Sequence, residues 1–325
     1  MRQRTGATSA EDYFEWEMRQ VEIAAPRTRT DFASYLLDDL PAGTEVDEWG
    51  VAWVPGSMYH FTRMVHPLAN VNTLAELRAY PWPDVTADYR RAPVPQQIGD
   101  LHRAGYSSFA YVPCIFGTIW ESAWRLRGME RLFIDMLEQP AYARELLSVL
   151  TDLACDNAAF FARSGADIIR LADDVGTQRG LLMSPEMLRE WLKPRLAAVI
   201  AAARRENPEV HVFYHSDGAV TELVPEFIEI GIDILNPVQP ECMDPIALKR
   251  QYGDRLSFWG TIGTQTTMPF GTPDEVRATV REMIQTVGRG GGLVVSPTHI
   301  LEPDVPWENI EALADAIRTT PVPAA

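Results

Sequence analysis

The chain of 325 residues carries 45 acidic and 29 basic side chains, a formal net charge of −16, and it has no Lys/Arg cluster able to grip a phosphate backbone, which argues against nucleic acid and equally against an anionic membrane surface. Hydrophobic residues at 46% and charged residues at 23% describe an ordinary globular composition, at a length that suits two small domains or one (β/α) barrel. No apolar run reaches the ~18 residues of a membrane span and the start of the chain is polar rather than signal-like, so a cytoplasmic location is expected.

Residues 1–40 read as a helical extension broken near Pro26. Residues 45–54 hold a strand candidate and residues 106–112 another. From residue 166 onward short apolar runs alternate with amphipathic stretches. Residues 167–171 form a strand, after which Ser184 caps a helix that starts with Pro185. A strand at 211–214 leads to a helix over 223–230 stopped by Gly231. The strand at 232–235 precedes a helix opened by Asp244-Pro245 and closed by Gly253. Next come a strand at 256–259 and a helix whose capping box pairs Thr272 with Glu275. A strand at 293–296 and a helix over 306–317, with Ile310, Leu313 and Ile317 on one face, complete the series.

Short connections between consecutive βα units call for a parallel sheet covered by helices. A barrel is favoured over an open nucleotide-binding sheet, because no GxGxxG follows a first strand and the glycines at 288–292 precede a strand. The expected architecture is therefore a single (β/α)8 TIM barrel over residues 41–318, with the helical extension before it and a frayed tail at 319–325. Seven strands are identified and the eighth is unassigned. The cysteines Cys114, Cys155 and Cys242 are too few and too widely spaced for a disulfide framework or a zinc knuckle.

In such folds chemistry gathers at the C-terminal ends of the strands. Those loops carry Asp173, Asp174 and Gln178, then His215 and Asp217, then Asn236 and Gln239, and finally His299. His215 and Asp217 stand two apart on an extended segment and so share a side, and His299 arrives from the last strand. Two imidazoles and a carboxylate suit a zinc-like divalent ion, with His215, Asp217 and His299 as ligands. Without metal, the two histidines would serve as an acid or base and its orienting partner, and Asp217 could instead cap the next helix. Of the adjacent acids, one of Asp173 and Asp174 is structural and the other, taken as Asp174, handles a proton. His60, His66, His102 and His211 are read as non-catalytic. Trp49, Trp53, Trp120 and Trp124 belong to the core or line an apolar pocket, and Trp49, Gln178, Asn236 and Gln239 are the substrate-binding candidates.

The segments Asp47-Glu48-Trp49-Gly50, Leu171-Ala172-Asp173-Asp174-Val175-Gly176-Thr177-Gln178, Tyr214-His215-Ser216-Asp217-Gly218, Ile234-Leu235-Asn236-Pro237-Val238-Gln239-Pro240, Phe258-Trp259-Gly260 and Ser296-Pro297-Thr298-His299 resemble the uroporphyrinogen decarboxylase superfamily. That superfamily also includes corrinoid- and thiol-dependent methyltransferases, and the resemblance implies a (β/α)8 barrel. The decarboxylase's Arg-Gln-Ala-Gly-Arg segment is absent, so uroporphyrinogen is not the expected substrate. The resemblance places His299 at the decarboxylase's active-site histidine and Asp47 at its pyrrole-binding aspartate, which makes both candidate catalytic residues. In the methyltransferases a zinc ion is held by His-x-Cys and a distant Cys. Here His215 keeps the first position, while Asp217 and His299 replace the thiolates, a set that favours an oxygen ligand over a thiol.

Three functions are therefore expected in order of preference. The first is metal-dependent methyl transfer or demethylation on a small oxygenated molecule, aromatic ones included, with a corrinoid on a separate partner protein or another molecule as acceptor. The second is a metal-free decarboxylase acting through His299 and Asp47, and the third is a barrel that only binds.

Overall fold

The computed structural model describes residues 5–36, 39–56 and 63–323; His60 and the last two residues of the tail lie outside them. Seven parallel strands form the main sheet: β1 Met18–Val21, β2 Ser107–Tyr111, β3 Ile168–Ala172, β4 His211–His215, β5 Ile234–Val238, β6 Ser257–Ile262 and β7 Leu293–Pro297. Each pairs in parallel with the next in chain order. This order never reverses, so the sheet has no topological switch point of the doubly wound kind.

The sheet is curled, and its side chains show by how much. Phe109 on β2, Phe213 on β4 and Trp259 on β6 meet ring to ring, with centroids 4.9, 5.0 and 5.3 Å apart. In a flat sheet β2 and β6 would lie about 19 Å apart at the usual inter-strand spacing of about 4.8 Å. The contact between alternate strands is the layered filling of a barrel interior. Ile168 and Ile234, from β3 and β5, complete this inner cluster. The opposite face of the sheet, including Ile169, Leu171, Val212 and Leu235, is buried with the helices in the larger core. On β3 the alternation is explicit: Ile168, Arg170 and Ala172 turn inward while Ile169 and Leu171 turn toward the helices.

Six of the expected strands form at their places. The seventh does not: residues 45–54 belong to a separate antiparallel sheet of Glu45–Val46, Ala52–Val54 and Arg63–Val65. The cause is a tight turn, in which the Asp47 carboxylate accepts the amides of Trp49 and Val51 at 2.9 and 3.0 Å and Gly50 takes a φ of +88°. The sheet's first strand is instead Met18–Val21, inside the stretch read as helical. Among the described residues of that stretch, helix forms at Ala10–Tyr13, with a short 3₁₀ turn at Ala33–Tyr35.

The helix ends follow the short-range grammar. Ser184 accepts the Met187 amide at 3.2 Å, Asp244 accepts those of Ile246 and Ala247, and Thr272 and Glu275 form their capping box. In the last helix, Trp307–Thr319, the buried face is Asn309, Ala312, Leu313 and Ala316, whereas Ile317 is exposed. The expected stripe is thus rotated by about one position, because Asn309 turns inward to donate to the carbonyls of Met268 and Gly271, both at 2.8 Å. No helix of the described residues is long and apolar enough to cross a membrane.

Candidate functional site

The loop after β3 separates its two acids by sending their side chains opposite ways. Asp173 is fully buried and accepts the amides of Ile119 at 3.1 Å and Glu121 at 2.8 Å, which caps the Trp120–Arg127 helix from outside. Burial pushes its pKa well above the usual carboxylate range, and these amides act against that shift. Asp174 faces the barrel mouth, where its Oδ1 accepts the Asp217 amide at 2.8 Å and lies 3.8 Å from His215 Nε2.

His215 is the last residue of β4, level with Ala172 on β3 and Asn236 on β5. Its Nδ1 lies 2.6 Å from Asn236 Oδ1, and the Asn236 amide nitrogen donates to the Trp259 carbonyl at 3.3 Å. That second bond fixes which end of the amide is oxygen, so His215 Nδ1 donates to Asn236 and Nε2 is the ring nitrogen that faces the carboxylates. Asp217 places Oδ1 3.9 Å from His215 Nε2 and Oδ2 3.6 Å from His299 Nε2. Its carboxylate therefore reaches for imidazoles and does not cap a helix.

The ligand atoms of Asp174, His215 and Asp217 all lie within 4.8 Å of one another. The expected trio of His215, Asp217 and His299 is thus met in two members. Asp174 is the third atom of the close group, and His299, with its side chain 46% exposed, stands at the edge against Asp217. Gln239 is buried and accepts the Gly218 amide at 3.2 Å, which holds the loop that carries Asp217. Gln178 is exposed and accepts from the Cys242 thiol at 3.0 Å.

Two expected site residues lie elsewhere. Trp49 is 4% exposed and packs in the core, its carbonyl taken by the Tyr80 hydroxyl, so its indole is closed to a ligand. Asp47 has both oxygens occupied, by Trp49 and Val51 amides and by the Trp53 indole N–H at 2.8 Å. It organises the antiparallel sheet. Burial raises its pKa despite those bonds. Of the histidines set aside, His66 Nδ1 pairs with the Arg125 carbonyl at 2.7 Å and His102 with Asp167 at 2.8 Å.

Two residues were not anticipated. Glu121 is buried, pairs with Arg125 at 2.8 Å, and its other oxygen accepts the Asp174 amide at 3.4 Å. Burial and the nearby Asp174 charge push its pKa up. An i,i+4 Glu/Arg pair reads in sequence as an ordinary solvated helix face, so nothing marked it. Arg170 did carry a signal, being a lone cation in the apolar run of β3.

Crowding of carboxylates has a measurable result. Burial first, and then Asp174 and Glu121, push the Asp217 pKa from 3.8 up to about 6 against the pull of His215. As the pH falls, the folded state takes up this proton before the unfolded chain does, so metal-free wild type gains stability between about pH 6 and pH 4. Asp217→Asn removes the ionised carboxylate and should melt higher than wild type at pH 7.5 in chelator. That advantage should fade by pH 4.5, and one that grew on acidification would contradict the assignment.

Fold and site together define an α/β protein of barrel-type winding, with its polar groups gathered at the C-terminal strand ends. Residues 100–320 match the family model described as Uroporphyrinogen decarboxylase (URO-D), and the chain belongs to that family. It is 30% identical over 182 residues to the methylcobamide:CoM methyltransferase MtaA of Methanosarcina barkeri, covering 56% of this chain and 48% of that protein. It is 26% identical to the methylated-thiol–coenzyme M methyltransferase of Methanosarcina mazei, covering 74% of this chain and 62% of the relative. The chain thus spans about half to three fifths of these two relatives. A uroporphyrinogen decarboxylase of Methylococcus capsulatus is 24% identical over 303 residues, 90% of this chain and 80% of that one. In fold it is similar to a methyltransferase from Methanosarcina mazei, at a TM-score of 0.61 and 20% identity over 94% of this chain and 81% of the other.

Proposed function

We propose that the protein is a metal-dependent methyltransferase that removes a methyl group from an oxygen of a small molecule and passes it to a corrinoid on a separate protein. The observation that carries this reading is the close group of Asp174, His215 and Asp217, whose ligand atoms are nitrogen and oxygen only. Two methyltransferases among the relatives support the class of reaction.

The donor set fits a divalent ion. His215 offers a lone pair whose direction is fixed by Asn236, two carboxylates stand beside it, and with both ionised they balance a charge of +2. Hard oxygen donors suit zinc or a harder first-row ion and favour an ether or hydroxyl oxygen as further ligand over a thiol. When bound, such an ion supplies Lewis acidity toward that oxygen. Asp174, His215 and Asp217 would hold it. His299, against Asp217 and partly exposed, is then the group placed to give a proton to the oxygen that loses its methyl group. Asn236 and Gln239 keep the loops in place. With this reading we also propose one barrel-type domain that begins with Met18–Val21 and not at residue 41, and a cytoplasmic location.

Elemental analysis of protein purified without chelator tests it, together with loss of the methyl group from methoxy-bearing acids, ethers and alcohols in the presence of a corrinoid acceptor. About one ion per chain, lost in a His215→Ala/Asp217→Ala double variant, is expected. No stoichiometric ion, or an ion retained unchanged by that variant, overturns the proposal, as does CO2 release that survives chelation. The decarboxylase reading is weakened by Asp47, whose carboxylate already accepts three hydrogen bonds from its own turn and from the Trp53 indole.

A further inference from the structure

The barrel mouth is crowded with carboxylates, and one cation inside it lacks an acidic partner. Arg170 lies on the interior face of β3, level with Tyr111 on β2 and Phe213 on β4. It sits one pleat below the level of Ala172 and His215, about 6.6 Å along the strand. Its guanidinium reaches up to donate to the Phe116 carbonyl at 3.4 Å, stands 4.8 Å over the Tyr111 ring and lies beside the Cys114 thiol. Among the described residues no carboxylate forms an ion pair with it, whereas Arg125, across the same loop, is held by Glu121 at 2.8 Å.

The residue that receives Arg170 is itself unusual. Phe116 has a φ of +65° and is 62% exposed, a bulky apolar side chain held at a sparsely populated backbone angle and turned to solvent. One side of its ring carries the Arg125 guanidinium at 4.5 Å, and the Trp53 ring stands 5.3 Å away. Asp47 fixes that tryptophan through its indole N–H. An aromatic surface backed by a cation thus adjoins a second cation without an ion-pair partner among the described residues, and Glu121 links Arg125 to the amide of Asp174.

We infer that Arg170 and Phe116 form a subsite for an aromatic carboxylate, with the carboxylate on the Arg170 guanidinium and the ring against the open face of Phe116. A guanidinium without an ion-pair partner takes a carboxylate through two parallel hydrogen bonds, and an aromatic face prefers a planar apolar skeleton. Asp174 and Asp217 at the mouth restrict the ligand to one negative group, since a second would meet like charge. The inference names the substrate class for the proposed reaction and rests on that reading for the choice of a methoxy-bearing probe.

Calorimetric titration of chelator-treated full-length protein with 4-methoxybenzoate and with uncharged 4-methoxybenzamide provides the test. Wild type should bind the acid at least tenfold more tightly than the amide. Arg170→Gln should abolish that preference while leaving amide affinity unchanged, Arg170→Lys should restore part of it, and Phe116→Ala should weaken both ligands alike. Acid and amide binding equally well to wild type, neither binding, or Arg170→Gln weakening both to the same degree would overturn the inference. The acid-to-amide ratio in wild type decides it even if a variant fails to fold. Because metal is removed, the outcome is independent of the methyl-transfer reading: preference for the acid without demethylation sinks that reading and leaves the subsite standing, and demethylation of uncharged ethers with no preference for the acid does the reverse.

Discussion

His215→Ala should abolish stoichiometric metal binding and lower methyl transfer by at least a thousandfold, with the fold retained. His215 is the nitrogen donor of the close group, and its removal leaves Asp174 and Asp217 facing each other without a partner on that side. The more discriminating variant is Asn236→Ala. Asn236 is not one of the three ligand residues; it accepts from His215 Nδ1 through a 2.6 Å contact and is itself fixed by the Trp259 carbonyl. Removing an orienting partner of this kind lowers metal affinity by about 10- to 100-fold. Competition with a chromophoric chelator measures both. Equal affinity in wild type and Asn236→Ala would show that the imidazole needs no orientation here.

Arg127→Met should destabilise the protein by about 3–5 kcal/mol, the cost of leaving a buried charge without its partner. Arg127 and Asp135 have wholly buried side chains 2.6 Å apart. The guanidinium also donates to the carbonyls of Leu68 and of Val71, the latter at 2.7 Å, and lies 4.5 Å over the Tyr142 ring. It therefore ties the Trp120–Arg127 helix to the segment around Leu68 as well as to the next helix. Arg127→Met/Asp135→Leu should recover much of the loss, because it removes the buried carboxylate that Arg131, 3.1 Å away and partly exposed, would otherwise balance alone. Equilibrium urea unfolding gives both values, and a double variant no better than the single one would assign the loss to the backbone carbonyls instead.

What could be read from the chain divides by the range of the interaction. Ser184, Asp244 and the Thr272–Glu275 pair act within a few residues, and each cap formed where the residue types placed it. His215 and Asp217 were legible as partners because residues two apart on an extended chain share a side. Met18–Val21 was not legible. Four residues between glutamates carry little pattern, and what makes them a strand is pairing with Ser107–Tyr111 far along the chain. The choice between Asp173 and Asp174 likewise depended on the Ile119 and Glu121 amides, which capture Asp173 from another element. His299 was placed near Asp217 correctly. Its standing behind Asp174 in the close group follows from sheet curvature, which periodicity does not encode.

The net charge takes on a different meaning once side chains are located. Most ionic pairs lie on the helical exterior, such as Arg189 and Lys193 with Glu226. The interior holds an unbalanced cluster of acids with one isolated guanidinium at its border. That arrangement distinguishes positions within the mouth by sign, which an overall value of −16 cannot.

The aromatic layer of Phe109, Phe213 and Trp259 fills the concave face of the curled sheet beneath the histidine and carboxylates. If the proposed methyl transfer holds, a small substrate seated above this layer has to be in place before a larger corrinoid protein covers the mouth, so the expected kinetics are ordered, with the small substrate first. Trp259 sits in that layer with its backbone holding Asn236, and a fluorescence change on substrate addition that is lost in Trp259→Phe is the expected optical sign of the first arrival.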